Sequence, residues 1–109
     1  MEKSKKYLSD ILNAIDLIEK FVVDTSDFNQ YQKDLKTQSA VERQLVIIGE
    51  ALNHLKKNVP NLIIENDKQI VGFRNRLVHA YDSIDNSIVW TIIQKYLIKL
   101  KIEIVELDT

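Results

Sequence analysis

The chain has no cysteine among its 109 residues. This absence excludes disulfides, thiol nucleophiles and thiolate-bound metals, and it is typical of a protein from a reducing compartment. The first ten residues, MEKSKKYLSD, do not contain the apolar core of a secretory signal. No run in the sequence approaches the roughly 20 apolar residues of a membrane span. The sequence therefore predicts a cytoplasmic protein that does not associate with a membrane.

Glycine and proline are also scarce, with two glycines and one proline in the chain. Strand-rich folds need many tight turns, and turns draw on these two residue types. The composition therefore favours a few long helices. With 45% apolar and 28% charged residues the chain resembles an ordinary globular protein. Its length predicts a single domain over residues 1–109.

An excess of positive charge is absent as well. Fifteen Lys and Arg residues are balanced by sixteen Asp and Glu residues, which gives a net charge of −1. A protein that coats nucleic acid is usually strongly basic. If this chain acts on RNA, the attraction must therefore come from a local patch of charge.

Apolar residues recur at steps of three and four through most of the chain, which is the period of an amphipathic helix. The pattern predicts an all-α fold, an antiparallel bundle of four main helices, with a short extra helical turn in the polar segment 24–34. The main helices are expected at about 3–23, 35–58, 66–79 and 86–106.

Three helix ends carry capping signals. Ser39 and Glu42 have the spacing of a capping box, so the second helix could instead begin at Ser39. Asn66 or Asp67 can cap the third helix, and Asp85 the last. The last helix is apolar over a broad arc, which predicts a second contact, and a homodimer is the usual solution.

The segment RNRLVHAY, residues 74–81, concentrates groups that could act on a phosphodiester. Arg74 offers a fork of donors that grips phosphate, and His79 can give or take a proton near neutral pH. Together they could cleave RNA without a metal, with Arg76 as a further phosphate contact. On an ideal helix Arg74 and His79 lie about 140° apart. They can aim into one cleft only if the helix ends near His79.

The same residues also have a purely structural interpretation. A histidine at a helix end often donates to the terminal carbonyls, and Tyr81 could fill the core with its hydroxyl at the surface. Glu50 and His54 are four residues apart, a spacing that suits a metal or a hydrogen-bonded pair, but the chain has only two histidines and no third ligand is evident. No metal or cofactor is therefore predicted. Spacing alone favours the structural interpretation, because short motifs recur by chance.

Longer segments carry a resemblance to a known family. RNRLVHAY resembles the Arg-x4-His-x-Tyr motif of HEPN-domain toxins of the HepT type. AVERQLVIIGEAL, residues 40–52, is similar to that family's second helix, including its IGEA. DILNAIDLIEKF, residues 10–21, and SIVWTII, residues 87–93, resemble its first and last helices. The resemblance thus covers nearly the whole chain in the expected order.

This resemblance implies a HEPN-like helical fold and a homodimer that brings two Arg-x4-His motifs into one cleft. It implies a metal-independent ribonuclease toxin of the HepT/MntA toxin–antitoxin family, which acts on RNA, with tRNA as a substrate class. By the match of residues, Arg74 and His79 would be catalytic. Tyr81 would receive AMP from an MNT-type nucleotidyltransferase antitoxin, within a dimer or a larger assembly.

Two supporting residues follow from the same match. Asn75 stands where the family favours asparagine, and its shared face with His79 predicts that it orients the imidazole. Glu50, in the IGEA match, either holds Arg74 or is solvated. Two other functions stay open, a non-catalytic HEPN protein that docks a nucleotidyltransferase and positions its substrate, and a plain helical interaction module. The intact pair of Arg74 and His79 argues against the first of these.

Overall fold

The structure is a computed structural model that describes the backbone of residues 2–108 and the side chains of residues 4–80 and 82–108. Its helices are α1 (Glu2–Phe21), α2 (Phe28–Lys33), α3 (Leu35–Asn58), α4 (Asp67–His79), α5 (Asn86–Thr91) and α6 (Leu97–Asp108). A 3-10 turn, Tyr81–Ser83, follows α4, and a π-helical segment, Ile92–Tyr96, joins α5 to α6. Residues 2–108 form no strand, and the prediction of an all-α bundle is confirmed.

The long helix α3 packs against both α1 and α4, and α6 packs against α1. At about 1.5 Å per residue α3 is roughly 36 Å long, so it runs most of the 41 Å length of the molecule. Its predicted stripe is the centre of the core, and each fully buried Leu or Ile contributes about 1.5–3 kcal/mol. The buried residues of that stripe are Val41, Leu45, Ile48, Leu52 and Leu55.

The polar segment between α1 and α3 contains the predicted helical turn, which is α2. Asp27 caps it, because its carboxylate accepts a hydrogen bond of 2.9 Å from the Gln30 N–H. Tyr31 fixes α2 to the bundle: its side chain is fully buried, and its ring centroid lies 5.4 Å from that of Trp90.

The structure shows which of the two predicted first residues of α3 is correct. Leu35 is the first helical residue, and the alternative start at Ser39 is wrong. The reason is Asp34, whose carboxylate accepts hydrogen bonds from the Thr37 N–H at 3.0 Å and the Thr37 hydroxyl at 2.6 Å. The bond from the Thr37 N–H satisfies one of the free backbone donors of the first turn, so that Asp34 is the N-cap of the helix.

The last predicted helix is one continuous rod with a π-helical segment in its middle. Asp85 caps it as predicted, with its carboxylate 2.9 Å from the Ser87 N–H. In the π segment the Leu97 N–H donates to the carbonyl of Ile92, five residues back. The buried residues on either side of this segment include Val89 and Leu97, whereas Ile88 is partly exposed.

The broad apolar arc predicted for the last helix includes an exposed face of α6. Ile98, Ile102 and Val105, at spacings of four and three, are 59%, 56% and 45% exposed. The opposite face of α6 is buried, with Leu100 and Ile104 in the core. Within residues 2–108, no helix combines the length and the apolar character that crossing a membrane requires.

Candidate active site

The candidate site lies where α3 and α4 approach most closely. Arg74, in the middle of α4, packs its side chain against the backbone of Gly49 in α3. A Cβ atom added at Gly49 would lie 2.4 Å from the Arg74 Cβ and 2.7 Å from its Cγ. No side chain fits at that position without a shift of Arg74. Glycine at position 49 therefore allows the close approach of α3 and α4.

The Arg74 guanidinium is held from two sides. Its Nη2 atom donates to Glu50 Oε1 at 3.0 Å, and its Nη1 atom donates to Asn75 Oδ1 at 2.8 Å. The Arg74 side chain is only 24% exposed, whereas that of Glu50 is 49% exposed. Its Nε atom is buried and has no hydrogen-bond partner among the described residues. These two hydrogen bonds orient the Arg74 guanidinium, and the half-exposed carboxylate of Glu50 compensates its charge.

His79 is the last residue of α4 and is exposed. The C-terminal end of α4 is capped by a backbone hydrogen bond, in which the Ala80 N–H donates to the Arg76 carbonyl at 2.8 Å. Among the described residues, none makes a hydrogen bond or an ion pair with the His79 side chain. The C-cap role that the structural interpretation gives to this imidazole is therefore absent from the structure.

Asn75 and Glu50 both contact Arg74. Glu50 follows the first of its two predicted alternatives, since its carboxylate forms an ion pair with Arg74. Asn75 was expected to orient His79, but its carbonyl oxygen is occupied by Arg74. No hydrogen bond links it to His79 within the described part of the chain. The cause is the Arg74 guanidinium, which donates to Glu50 through one nitrogen and to the adjacent Asn75 amide through the other.

The remaining residues of the motif lie around the end of α4. Arg76 is exposed and lies near the cap of α5. The pKa of Asp85 is lowered mainly by hydrogen bonds from Ser87 and to a smaller degree by the charge of Arg76. Tyr81 begins the 3-10 turn after α4, and the prediction for its side chain falls outside the described residues.

Glu50 and His54 have different partners, since Glu50 forms an ion pair with Arg74. His54 stacks on Tyr7, with ring centroids 5.2 Å apart and planes 14° from parallel. Across the described residues, no three His, Asp or Glu side chains come close enough to share a metal ion.

A groove between α3 and α4 adjoins this site and was not predicted from the sequence. We call it the α3–α4 groove; its volume is about 310 Å³. It is lined by Asn53 and Lys56 from α3 and by Asp67, Lys68, Val71, Gly72 and Asn75 from α4. Lys68, Gly72, Asn75 and His79 follow one another at spacings of four, three and four, which is one face of a helix. That spacing is the signal in the sequence that could have revealed the groove.

Comparison with known proteins identifies the family. A family model described as ribonuclease HepT-like matches residues 11–107. A Thermococcus cleftensis protein named "Probable ribonuclease HepT" is 37% identical over 103 residues, 93% of each chain. A candidate RNase of Methanocaldococcus jannaschii is 35% identical over 104 residues, 92% of each chain.

A candidate RNase of Caldanaerobacter subterraneus subsp. tengcongensis is 31% identical over 112 residues, 98% of this chain and 96% of that protein. No solved structure shows a significant match. The match of the family model over nearly all of the sequence, together with these full-length relatives, confirms the resemblance: the chain belongs to the HepT-like ribonuclease family.

Proposed function

We propose that this protein is a metal-independent endoribonuclease, the toxin of a toxin–antitoxin pair, with tRNA as a substrate class. The main support for the proposal is the environment of the Arg74 side chain. Its guanidinium is oriented by Glu50 and Asn75 on a half-buried stem, five residues before an exposed imidazole that nothing in the described chain engages. Membership of the HepT-like family supports the same activity.

The reaction follows from these two groups. One His79 imidazole takes the proton of a ribose 2′-hydroxyl, and that oxygen attacks the adjacent phosphorus. The bond from phosphorus to the 5′ oxygen breaks, and an imidazolium gives that oxygen a proton. Arg74 stabilises the charge that develops on the phosphate oxygens. The products are a 2′,3′-cyclic phosphate and a 5′-hydroxyl, so the step needs neither a metal nor water.

The proposal requires a homodimer, because one chain supplies one His79 while the reaction uses a base and an acid. The two-fold axis must then pass near the C-terminal end of α4. Val78, beside His79, is 43% exposed and gives an apolar surface for that contact.

The exposed face of α6 is a different surface. The Glu65 N–H, just before α4, donates to Glu103 of α6 at 3.1 Å, so this part of α6 adjoins the N-terminal end of α4. That end lies about 18 Å from His79 along the helix. A two-fold axis beside this part of α6 would therefore lie nearer the N-terminal end of α4 than His79.

Control of the toxin is proposed to occur at Tyr81 through a nucleotidyltransferase antitoxin of the MNT type. The Tyr81 hydroxyl attacks the α-phosphorus of ATP, which forms the tyrosyl–AMP bond and releases pyrophosphate. The new phosphodiester carries a negative charge two residues from His79. It would repel the phosphates of RNA and occupy the cleft, as phosphorylation does at other anion sites.

Expression in cells that lack the antitoxin tests the proposal. The wild-type protein should arrest growth, and His79→Ala should be tolerated. His54→Ala is the matched control, because His54 is the only other histidine and stacks on Tyr7 away from the motif. It should arrest growth as the wild type does. Equal tolerance of wild type and His79→Ala would refute the nuclease and favour the non-catalytic docking function.

A further inference from the structure

The two glycines of the chain have different surroundings. Gly49 is explained by the Arg74 side chain, which fills the space that a Cβ would need. A Cβ at Gly72 would meet no atom within 4 Å. Glycine inside a helix costs about 1 kcal/mol relative to alanine. Packing within the described chain does not account for this cost at Gly72.

Gly72 forms part of the floor of the α3–α4 groove. Without a side chain at this position the helix backbone is open to the groove, so a flat group can lie directly against it. The lining is largely apolar, through Val71 and the aliphatic parts of the other side chains, and its polar groups include the amides of Asn53 and Asn75 and the ammonium groups of Lys56 and Lys68. Such amides form hydrogen bonds with the edges of unstacked bases, and lysines attract phosphates.

The charges of the groove are not equivalent. Lys56 forms an ion pair with Asp67, which is buried. Among the described residues no carboxylate forms an ion pair with Lys68, which is exposed. Lys68 therefore supplies the positive charge that is available to a bound anion.

The groove is physically joined to the catalytic arginine. Asn75 lines the groove and accepts a hydrogen bond from Arg74. His79 follows Asn75 by four residues on the same face of α4. A strand that lies in the groove would therefore lead past Asn75 towards Arg74 and His79.

We propose that the α3–α4 groove is a nucleotide subsite, which binds one nucleotide of an RNA strand beside the scissile phosphate. The base lies over Gly72 with its edge towards Asn53 and Asn75, and Lys68 contacts a phosphate. This inference rests on the proposed function, since it assigns a substrate contact to the same site. The subsite explains the glycine at position 72 and includes residues outside the Arg-x4-His motif.

Binding measurements test the subsite separately from catalysis. The probe is a short RNA with 2′-O-methyl groups, which cannot be cleaved, and it is titrated into the purified protein by fluorescence anisotropy. Gly72→Leu, which fills the groove, should weaken binding about tenfold or more. Gly72→Ala should weaken binding less, and both variants should be at least as resistant to unfolding as the wild type.

Lys68→Gln gives a second measure that does not depend on filling the groove. The logarithm of affinity falls with the logarithm of salt by about 0.7 for each phosphate neutralised on a single strand. Lys68→Gln should reduce that slope by about this amount. Lys20→Gln, an exposed lysine at the end of α1, is the matched control and should leave the slope unchanged.

The outcomes separate the two proposals. A wild type that binds RNA without cleaving it would refute the nuclease, whereas a loss of binding in Gly72→Leu would still support the subsite. Wild-type affinity in Gly72→Leu together with a wild-type salt slope in Lys68→Gln would overturn the subsite. If Gly72→Leu keeps its affinity for RNA but is no longer modified by the nucleotidyltransferase, the groove is a protein contact and the RNA assignment is wrong.

Discussion

Gly49 of α3 and Arg74 of α4 share one space, since a Cβ at position 49 would lie 2.4 Å from the Arg74 Cβ. This contact fixes the register of the two helices. It also places the residue after Gly49, Glu50, within 3.0 Å of the Arg74 guanidinium. The packing of the bundle and the orientation of the candidate catalytic arginine therefore depend on the same glycine.

Gly49→Ala should destabilise the protein. The added methyl group overpacks the contact with Arg74, at a cost of about 1–3 kcal/mol, which exceeds the gain of up to about 1 kcal/mol from replacing a helical glycine. Gly72→Ala is the matched control, because it keeps that gain without a clash. Urea unfolding should rank Gly72→Ala above the wild type and Gly49→Ala below it. The reverse order would contradict the close contact.

Arg74→Lys should retain the fold and lose most of the cleavage activity. A lysine keeps the charge, but its single ammonium cannot reproduce the fork that contacts both Glu50 and Asn75. Loss of one oriented donor in a transition state typically lowers the rate about 10²–10³-fold. Cleavage of a labelled RNA measures this, with Arg43→Lys, at an exposed position of α3, as the control. Full activity of Arg74→Lys would show that only the charge matters.

His79→Ala and His54→Ala should have opposite effects. The exposed His79 makes no hydrogen bond among the described residues, so its loss should change the free energy of unfolding by less than about 0.5 kcal/mol. His54→Ala removes the stack on Tyr7 and should cost up to about 1 kcal/mol. Cleavage should be lost in the first variant and kept in the second. A large destabilisation by His79→Ala would favour a structural role.

The cap of α3 predicts a dependence of stability on pH. The pKa of Asp34 lies below its ordinary value of 3.8, because its carboxylate accepts hydrogen bonds from the Thr37 hydroxyl and N–H. Its stabilising contribution is thus complete above 3.8 and is lost as the pH falls through the folded-state pKa.

Thermal unfolding should show this contribution directly. Asp34→Ala should lower the Tm at neutral pH, and the difference from the wild type should shrink in strong acid. Asp34→Asn, which can still cap, should lie between the two at neutral pH. A difference that does not change with pH would contradict the role of the Asp34 charge.

Modification of Tyr81 can be detected by mass spectrometry of the intact protein. Protein produced together with its nucleotidyltransferase should gain one or more AMP units, and Tyr81→Phe should gain none at that site. Modified protein should bind RNA more weakly because of the added negative charge. An adduct that persists in Tyr81→Phe would place the modification elsewhere.

Local patterns were sufficient to predict the helices. The bounds of α3 and α4 follow from their apolar stripes, although Asn66, the N-cap residue of α4, makes no side-chain capping hydrogen bond. The π segment, Ile92–Tyr96, was not predicted, because one inserted residue hardly disturbs an apolar pattern as broad as that of the last helix. The alternative start at Ser39 failed because Asp34 caps first.

The site could be predicted only in part. The motif supplies Arg74 and His79, but the pairing of Arg74 with Glu50 joins positions 24 residues apart and depends on how α3 packs on α4. The prediction that Asn75 orients His79 assumed that a shared helical face decides the contact. The adjacent guanidinium competes for the same oxygen and occupies it. The different surroundings of Gly49 and Gly72 likewise appear only in the packed structure.

The most direct test is cleavage of a defined RNA by purified protein in the presence of EDTA, with the fragment ends identified by mass spectrometry. The account predicts fragments that end in 2′,3′-cyclic phosphate for the wild type, and intact RNA for Arg74→Ala and His79→Ala. Intact RNA with the wild type, or equal cleavage by His79→Ala, would contradict it.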